Sequence, residues 1–190
     1  MLVGGRSERM GQPKQLLLVD GEPIALRVAR ALAAVTPEIA LGGDGAVPPE
    51  LAVYPRLADA PDVRGPLAAL LAASRKHPDA AWLIAACDLA CVTPEAARWL
   101  ISERHPDRLA VIPRHGGHPE PLFAVYEPAI ARDLEALARS GRPAPRLLAD
   151  LPGVHSPEIP EALRAAFTNV NTPADLAALA PPVAKPPEPS

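Results

Sequence analysis

Hydrophobic positions along this chain switch between a helical and an extended period, and the switching predicts helices and strands in turn. Ile24, Leu26, Val28, Ala29 and Leu32 predict a helix over 23–34, with Pro23 suited to its first turn. The short apolar run 16–19 before it is closed by the turn pair Asp20 and Gly21. Strands are expected at 39–41 and 51–54, and a loop over 59–65 leads into a helix 66–75. The stretch 81–86 is nearly unbroken in its hydrophobicity and gives way abruptly to Asp88, the profile of a central parallel strand covered on both faces. Thr93 and Pro94 supply a cap and a first-turn proline for a helix reaching 102. Strands at 109–112 and 121–126 flank a turn at 114–118. Helical segments are expected over 128–139, 142–150 and 161–166. After an extended pair at 167–168, Thr172 and Pro173 start a last helix.

Strands alternating with helices, several of them buried, call for an α/β sheet covered on both faces. Such sheets bind ligands at the carboxyl ends of their strands. Two chemically distinctive places fall there: the glycines that follow Val3, and Asp88. Both were located by hydrophobic pattern alone, and their agreement points to one site.

Composition narrows the picture. A chain of 190 residues suits one domain, expected over 1–180, with a proline-rich disordered tail at 181–190. Apolar residues make up 48% and aromatic residues 3%, so the core is built from Ala, Leu, Val and Ile. A formal charge of -3 argues against a general nucleic-acid or anionic-membrane binder. No apolar run reaches the ~18 residues of a membrane span and no signal pattern opens the chain, so a cytoplasmic protein is expected. Cys87 and Cys91 are too few for a disulfide scaffold or a structural zinc site. His115 and His118, across a glycine turn, read as solvated.

Any polyanion must therefore meet a local cluster of cations, and the opening residues hold one. Gly4, Gly5 and Gly11 can bring backbone N–H groups close to an anion. Arg6, Arg9 and Lys14 are donor-only side chains suited to phosphate oxygens. The spacing is neither that of a Walker A loop nor that of a dinucleotide fingerprint. Asp88, at a strand end, suits Mg²⁺ carried by a nucleoside triphosphate.

The pattern G-G-x-S-x-R-M-G-x-x-K over 4–14 resembles the signature loop of the molybdenum cofactor guanylyltransferases. Four further segments follow in that family's order. Cys87, Asp88 and Leu89 resemble its C-D-x-P-[FL] segment, departing at Ala90 and Cys91. Asp59 with Gly65, Pro66 and Leu67 resembles D-x(n)-G-P-L. Gly117 through to Tyr126 resembles the hairpin G-x-x-x-P-L-x-A-x-Y, and Asn169 to Pro173 matches N-[IV]-N-T-P. Two departures stand out. Only Met1, Leu2 and Val3 represent the strand that leads into the glycines, and a shortened central strand should be costly. Gly42, Gly43, Asp44 and Gly45 replace the family's usual Asn-Arg pair, which puts one base or ribose contact in doubt.

The resemblance implies a three-layer Rossmann-like nucleotidyltransferase fold, with a mostly parallel sheet, helices on both faces and a small hairpin insertion. It implies transfer of GMP from GTP to the terminal phosphate of molybdenum-bound molybdopterin, with Mg²⁺ on Asp88 and release of pyrophosphate. Lys14, Arg9 and Asp88 would be catalytic. Leu2, Gly4, Gly5, Arg6, Lys14, Asp59, Gly65 and Asp88 would bind the nucleotide, and Pro121, Asn169 and Asn171 the acceptor. The paired glycines resemble the guanylyl branch, whereas cytidylyl relatives typically show Ala-Gly. A monomer is expected, with molybdenum-insertion or acceptor enzymes as partners and no nucleic acid or membrane. Two alternatives stay open: a cytidylyl or other nucleotidyl transferase acting on a related phosphorylated acceptor, and a binding factor that delivers nucleotide or pterin without turnover.

Overall fold

A computed structural model describes residues 1–4 and 13–179. Glycine loop residues Gly5, Arg6 and Arg9, and the tail expected at 181–190, lie outside the described residues.

The sheet runs in the order β4 (Arg56–Leu57), β3 (Leu41–Gly42), the opening residues 1–3, β5 (Trp82–Ala85), β9 (Phe123–Tyr126), β6 (Ala110–Val111) and β10 (Val154–His155). β9 is antiparallel to both of its neighbours, and the other neighbouring pairs are parallel. The sheet is therefore mixed, mostly parallel as expected, with one reversed strand supplied by the return from the hairpin of β7 (Arg114–His115) and β8 (His118–Pro119). The three opening residues meet the demands of a central position. Leu2 N–H donates to Ala85 O at 2.8 Å, and Cys87 N–H donates to Leu2 O at 3.0 Å. On the other edge Val3 N–H donates to Gly42 O at 2.8 Å, and Gly42 N–H to Met1 O at 2.9 Å. Both edges of the short strand are thus paired, which a buried position requires.

Side-chain alternation divides the core into two layers. Ala85, Val111, Phe123 and Val125 face α1 (Ile24–Ala33), α3 (Pro94–Ser102) and the 3-10 segment Glu161–Phe167. Ile84, Ala110, Ala124 and Tyr126 face α2 (Pro66–Lys76), α4 (Ala131–Arg139) and the 3-10 segment Pro145–Asp150. Tyr126 lies in that layer with its hydroxyl donating to Pro121 O at 2.7 Å. Thr93 caps α3 as expected, accepting the Ala96 N–H at 3.2 Å.

Three local expectations are corrected. Residues 51–54 are not a strand: Pro49–Val53 is a 3-10 turn, and the pairing strand is β4, a few residues later. Pro48, Pro49 and the exposed Val53 suit a surface turn better than a ladder. The apolar run 16–19, to which the sequence assigned no element, follows the 3-10 turn Lys14–Leu16 and holds β1 (Leu18–Val19), which turns at Asp20 and Gly21 into a hairpin with β2 (Glu22–Pro23). Of the helices expected at 142–150 and 161–166, the first is only the 3-10 segment Pro145–Asp150 and the second the 3-10 segment Glu161–Phe167. β10 went unforeseen because two residues carry no readable period.

Candidate active site

Lys14 begins the turn that leaves the opening loop, and Asp88 stands just beyond the end of β5. They lie 74 positions apart, yet Lys14 Nζ is 3.3 Å from Asp88 Oδ2. Lys14 Nζ also donates to Asn171 Oδ1 at 2.6 Å. Hydrophobic packing delivers that asparagine. Phe167 packs on Phe123 with centroids 4.8 Å apart and meets Trp99 edge-on at 5.9 Å. Val170 is buried behind it, and its N–H donates to Asp88 O at 2.9 Å. The chain therefore passes Asp88 at a fixed height, with Asn171 next in line.

Beside this trio opens a cavity of about 660 Å³, within the size range of small-molecule sites. Leu2, Gly4, Lys14, Asp59, Gly65 and Asp88 all line it, so the described part of the expected nucleotide-binding set converges on one space. Pro121 is not in its lining, although its neighbour Leu122 is. Asn171 reaches the site through Lys14, and Asn169 lies close by in sequence with its Oδ1 buried and lacking a partner among the described residues.

The loop 42–45, which the sequence marked only as a departure from the family's Asn-Arg pair, also lines the cavity, and Arg56 behind it was not singled out. Gly43 has φ +101°, and a Cβ on it would lie 2.5 Å from Val3 O. Gly45 donates its N–H to Val3 O at 3.0 Å, and a Cβ there would meet both that oxygen and Gln15 Nε2 at 2.8 Å. These glycines let the loop lie directly on the opening strand. Arg56, on the adjacent β4, closes over it: Nη1 donates to Gly43 O and Nη2 to Gly45 O, each at 3.0 Å. Asp44 is carried into the cavity lining by this loop. Burial raises the Asp59 carboxyl above its ordinary value, and the charge of Asp44 raises it further. The signal for Asp44 was available, an acid among glycines at the carboxyl end of a strand. A lone arginine after a proline carried none.

Gln15 is a buried polar side chain beneath the site, and Cys87 Sγ–H points to its Oε1 at 3.9 Å. Burial, followed by the charge of Asp88, pushes the Cys87 thiol up to about 11. Cys87 therefore stays a neutral packing group, as the sequence suggested.

A magnesium ion is implied by the family resemblance, and the donor set fits it. Asp88 Oδ1 is buried without a partner among the described residues, while Oδ2 faces Lys14. An unpartnered carboxylate oxygen beside a nucleotide-sized cavity suits the single protein ligand that Mg²⁺ commonly takes along with substrate phosphates and water. Among the described residues no three His, Cys, Asp or Glu side chains gather as a larger metal-binding group, and no helix is long and apolar enough to cross a membrane.

Comparison with known proteins agrees with this layout. Residues 1–155 match the family model of the MobA-like NTP transferase domain. A probable molybdenum cofactor guanylyltransferase of Pelotomaculum thermopropionicum is 38% identical over 186 residues, covering 93% of this chain and 88% of that one. Another, from Synechococcus elongatus, is 34% identical over 197 residues, covering 94% and 95%. Among solved structures, molybdopterin-guanine dinucleotide biosynthesis protein A from Archaeoglobus fulgidus superposes with a TM-score of 0.73 at 25% identity, over 94% of each chain.

Proposed function

The chain belongs to the MobA-like NTP transferase family, and from that premise we propose that it transfers GMP from GTP to the terminal phosphate of molybdenum-bound molybdopterin. One observation carries the reading: Lys14 and Asp88 meet at 3.3 Å in the lining of a nucleotide-sized cavity that also presents Asp44 and Asp59. Cation and carboxylate serve the phosphates, and the acidic wall serves a base rich in N–H groups.

The acceptor's phosphate oxygen attacks the α-phosphorus of GTP; the bond from that phosphorus to the β-phosphate oxygen breaks, and pyrophosphate leaves with the electron pair. A phosphate monoester is largely ionised at neutral pH, so no general base is required. Negative charge gathers on the oxygens around the α-phosphorus, and the Lys14 ammonium, held by Asp88 and Asn171, stands ready to stabilise it. Asp88 would hold Mg²⁺ through Oδ1, and the ion would neutralise phosphate charge and orient the leaving group. Gly4 supplies main chain at the cavity edge, where a backbone can approach a phosphate closely. At the other end, a carboxylate accepts from guanine N1–H and the 2-amino group together. The acceptors N3 and O2 of cytosine would face the same carboxylate unfavourably. Asn169 and Asn171, with Pro121 across the sheet, would frame the acceptor.

The test is pyrophosphate release with Mg²⁺ and molybdenum-bound molybdopterin, in parallel with GTP, CTP and ATP. Release with GTP alone is expected. Release with CTP instead would keep the mechanism and overturn the base assignment. No release with any of the three would leave a binding and delivery role.

A further inference from the structure

The last helix, α5 (Pro173–Leu179), starts with a reciprocal cap. Asp175 N–H donates to Thr172 Oγ1 at 3.2 Å, and Asp175 Oδ2 accepts the Thr172 N–H at 2.8 Å. A helix start needs nothing more. The same Oδ2, however, also accepts the N–H of Asn171 at 2.8 Å, one residue before the cap. These two N–H groups, Asn171 first, hold the Asp175 carboxyl below its ordinary range.

Asn171 is an exposed residue whose side chain nevertheless reaches Lys14 Nζ at 2.6 Å. Its backbone is pinned from both flanks. Upstream, buried Val170 is tied to Asp88 O at 2.9 Å; downstream, Asp175 grips its N–H. The result is a continuous chain of contacts from Asp175 through Asn171 and Lys14 to Asp88, joining residues 157 positions apart. We propose that Asp175 is a positioning residue: by fixing the Asn171 backbone it lets Asn171 Oδ1 hold the Lys14 ammonium beside Asp88. Hydrogen bonds to an ionised acceptor are roughly twice as strong as neutral ones, which is why a carboxylate suits this place better than an amide. The consequence for rate rests on the nucleotidyl-transfer reading; the geometric claim does not.

The sequence holds three lysines, Lys14, Lys76 and Lys185, so the ammonium signals of ¹⁵N-lysine-labelled protein can be assigned with Lys14→Arg alone as a guide to Lys14. In ligand-free protein, Asp175→Ala should displace the Lys14 signal and leave Lys76 unmoved. Thr172→Ala weakens the same helix start but keeps the carboxylate on Asn171, so the Lys14 signal should stay in place. In the transfer assay Asp175→Ala should lower kcat about tenfold with KM for GTP within about twofold, and Asp175→Asn should fall between. Should Asp175→Ala fail to fold, Asp175→Asn carries the same comparison.

An unmoved Lys14 signal, or an equal displacement by Thr172→Ala, overturns the positioning whatever the activity. A displaced signal with unchanged kcat in an active enzyme keeps the positioning and overturns its consequence for rate. If the wild-type protein releases no pyrophosphate with any nucleotide, the transfer reading fails by that control, and the Lys14 signal by itself decides the positioning.

Discussion

At one end of the cavity, side chains from positions 14, 88 and 171 hold one another by charge and hydrogen bonds across most of the chain's length. Elsewhere in its lining, the loop 42–45 is held by its own main chain, by the absence of Cβ atoms, and by the fork of Arg56. The first arrangement balances a cation with an anion and leaves one buried carboxylate oxygen without a partner among the described residues. The second sets Asp44 and Asp59 facing the same space, close enough that one charge disfavours the other. The contrast teaches that the Lys14–Asp88 cluster is preorganised by compensation, whereas Asp44 and Asp59 hold a repulsion, which on the proposed reading an N–H-rich base would relieve.

Breaking the compensated end should have the largest effect. Asp88→Asn keeps the shape but removes the charge that faces Lys14 and would hold Mg²⁺, so transfer should fall by roughly a thousandfold or more at saturating GTP while thermal stability is retained. Unchanged turnover would remove Asp88 from the metal. Lys14→Ala should cost about 3 kcal/mol of transition-state stabilisation, by analogy with loss of an oxyanion donor. A loss confined to GTP affinity would place Lys14 in ground-state binding instead.

The loop 42–45 should fail through its backbone. Gly43→Ala forces a Cβ to within 2.5 Å of Val3 O at φ +101°, so about 2–3 kcal/mol of folding stability should be lost, readable by urea titration. Arg56→Ala leaves the glycines in place but frees two carbonyls, so GTP should bind about tenfold more weakly by calorimetry with kcat little changed. Equal losses in both parameters would tie the loop to the chemistry rather than to the base.

The smallest effect sharpens the contrast most. A carboxyl with a raised folded value contributes stability below its ordinary 3.8 and loses it as pH rises through the folded value. At neutral pH the Asp44–Asp59 arrangement is therefore a cost. Asp44→Asn should lower the Asp59 titration midpoint, followed by carboxyl ¹³C NMR, and slightly raise the thermal midpoint at pH 7 but not below 3.8. Burial of Asp59, the larger cause of its shift, would remain.

Much of the fold was legible because long hydrophobic runs are local. The strand before Asp88, the capped helix after Thr93 and the return strand ending at Tyr126 each announced themselves by pattern and punctuation. Short strands did not, since β4 and β10 gain their identity from a neighbour's unpaired groups rather than from any period of their own. The site divides in the same way. Lys14, Asp88 and the Asn-rich segment were visible as residues whose chemistry is strong wherever they stand.

By itself, then, the sequence determined which segments must be buried, where the sheet's ligand edge lies, and which groups along it carry charge, because burial and alternation are properties of neighbouring residues. Tertiary structure alone decided that Asn171 meets Lys14 and that Arg56 locks the loop behind Asp44. Those contacts join distant positions at distances of about 3 Å, and hydrogen bonds that short depend on packed geometry that no local pattern encodes.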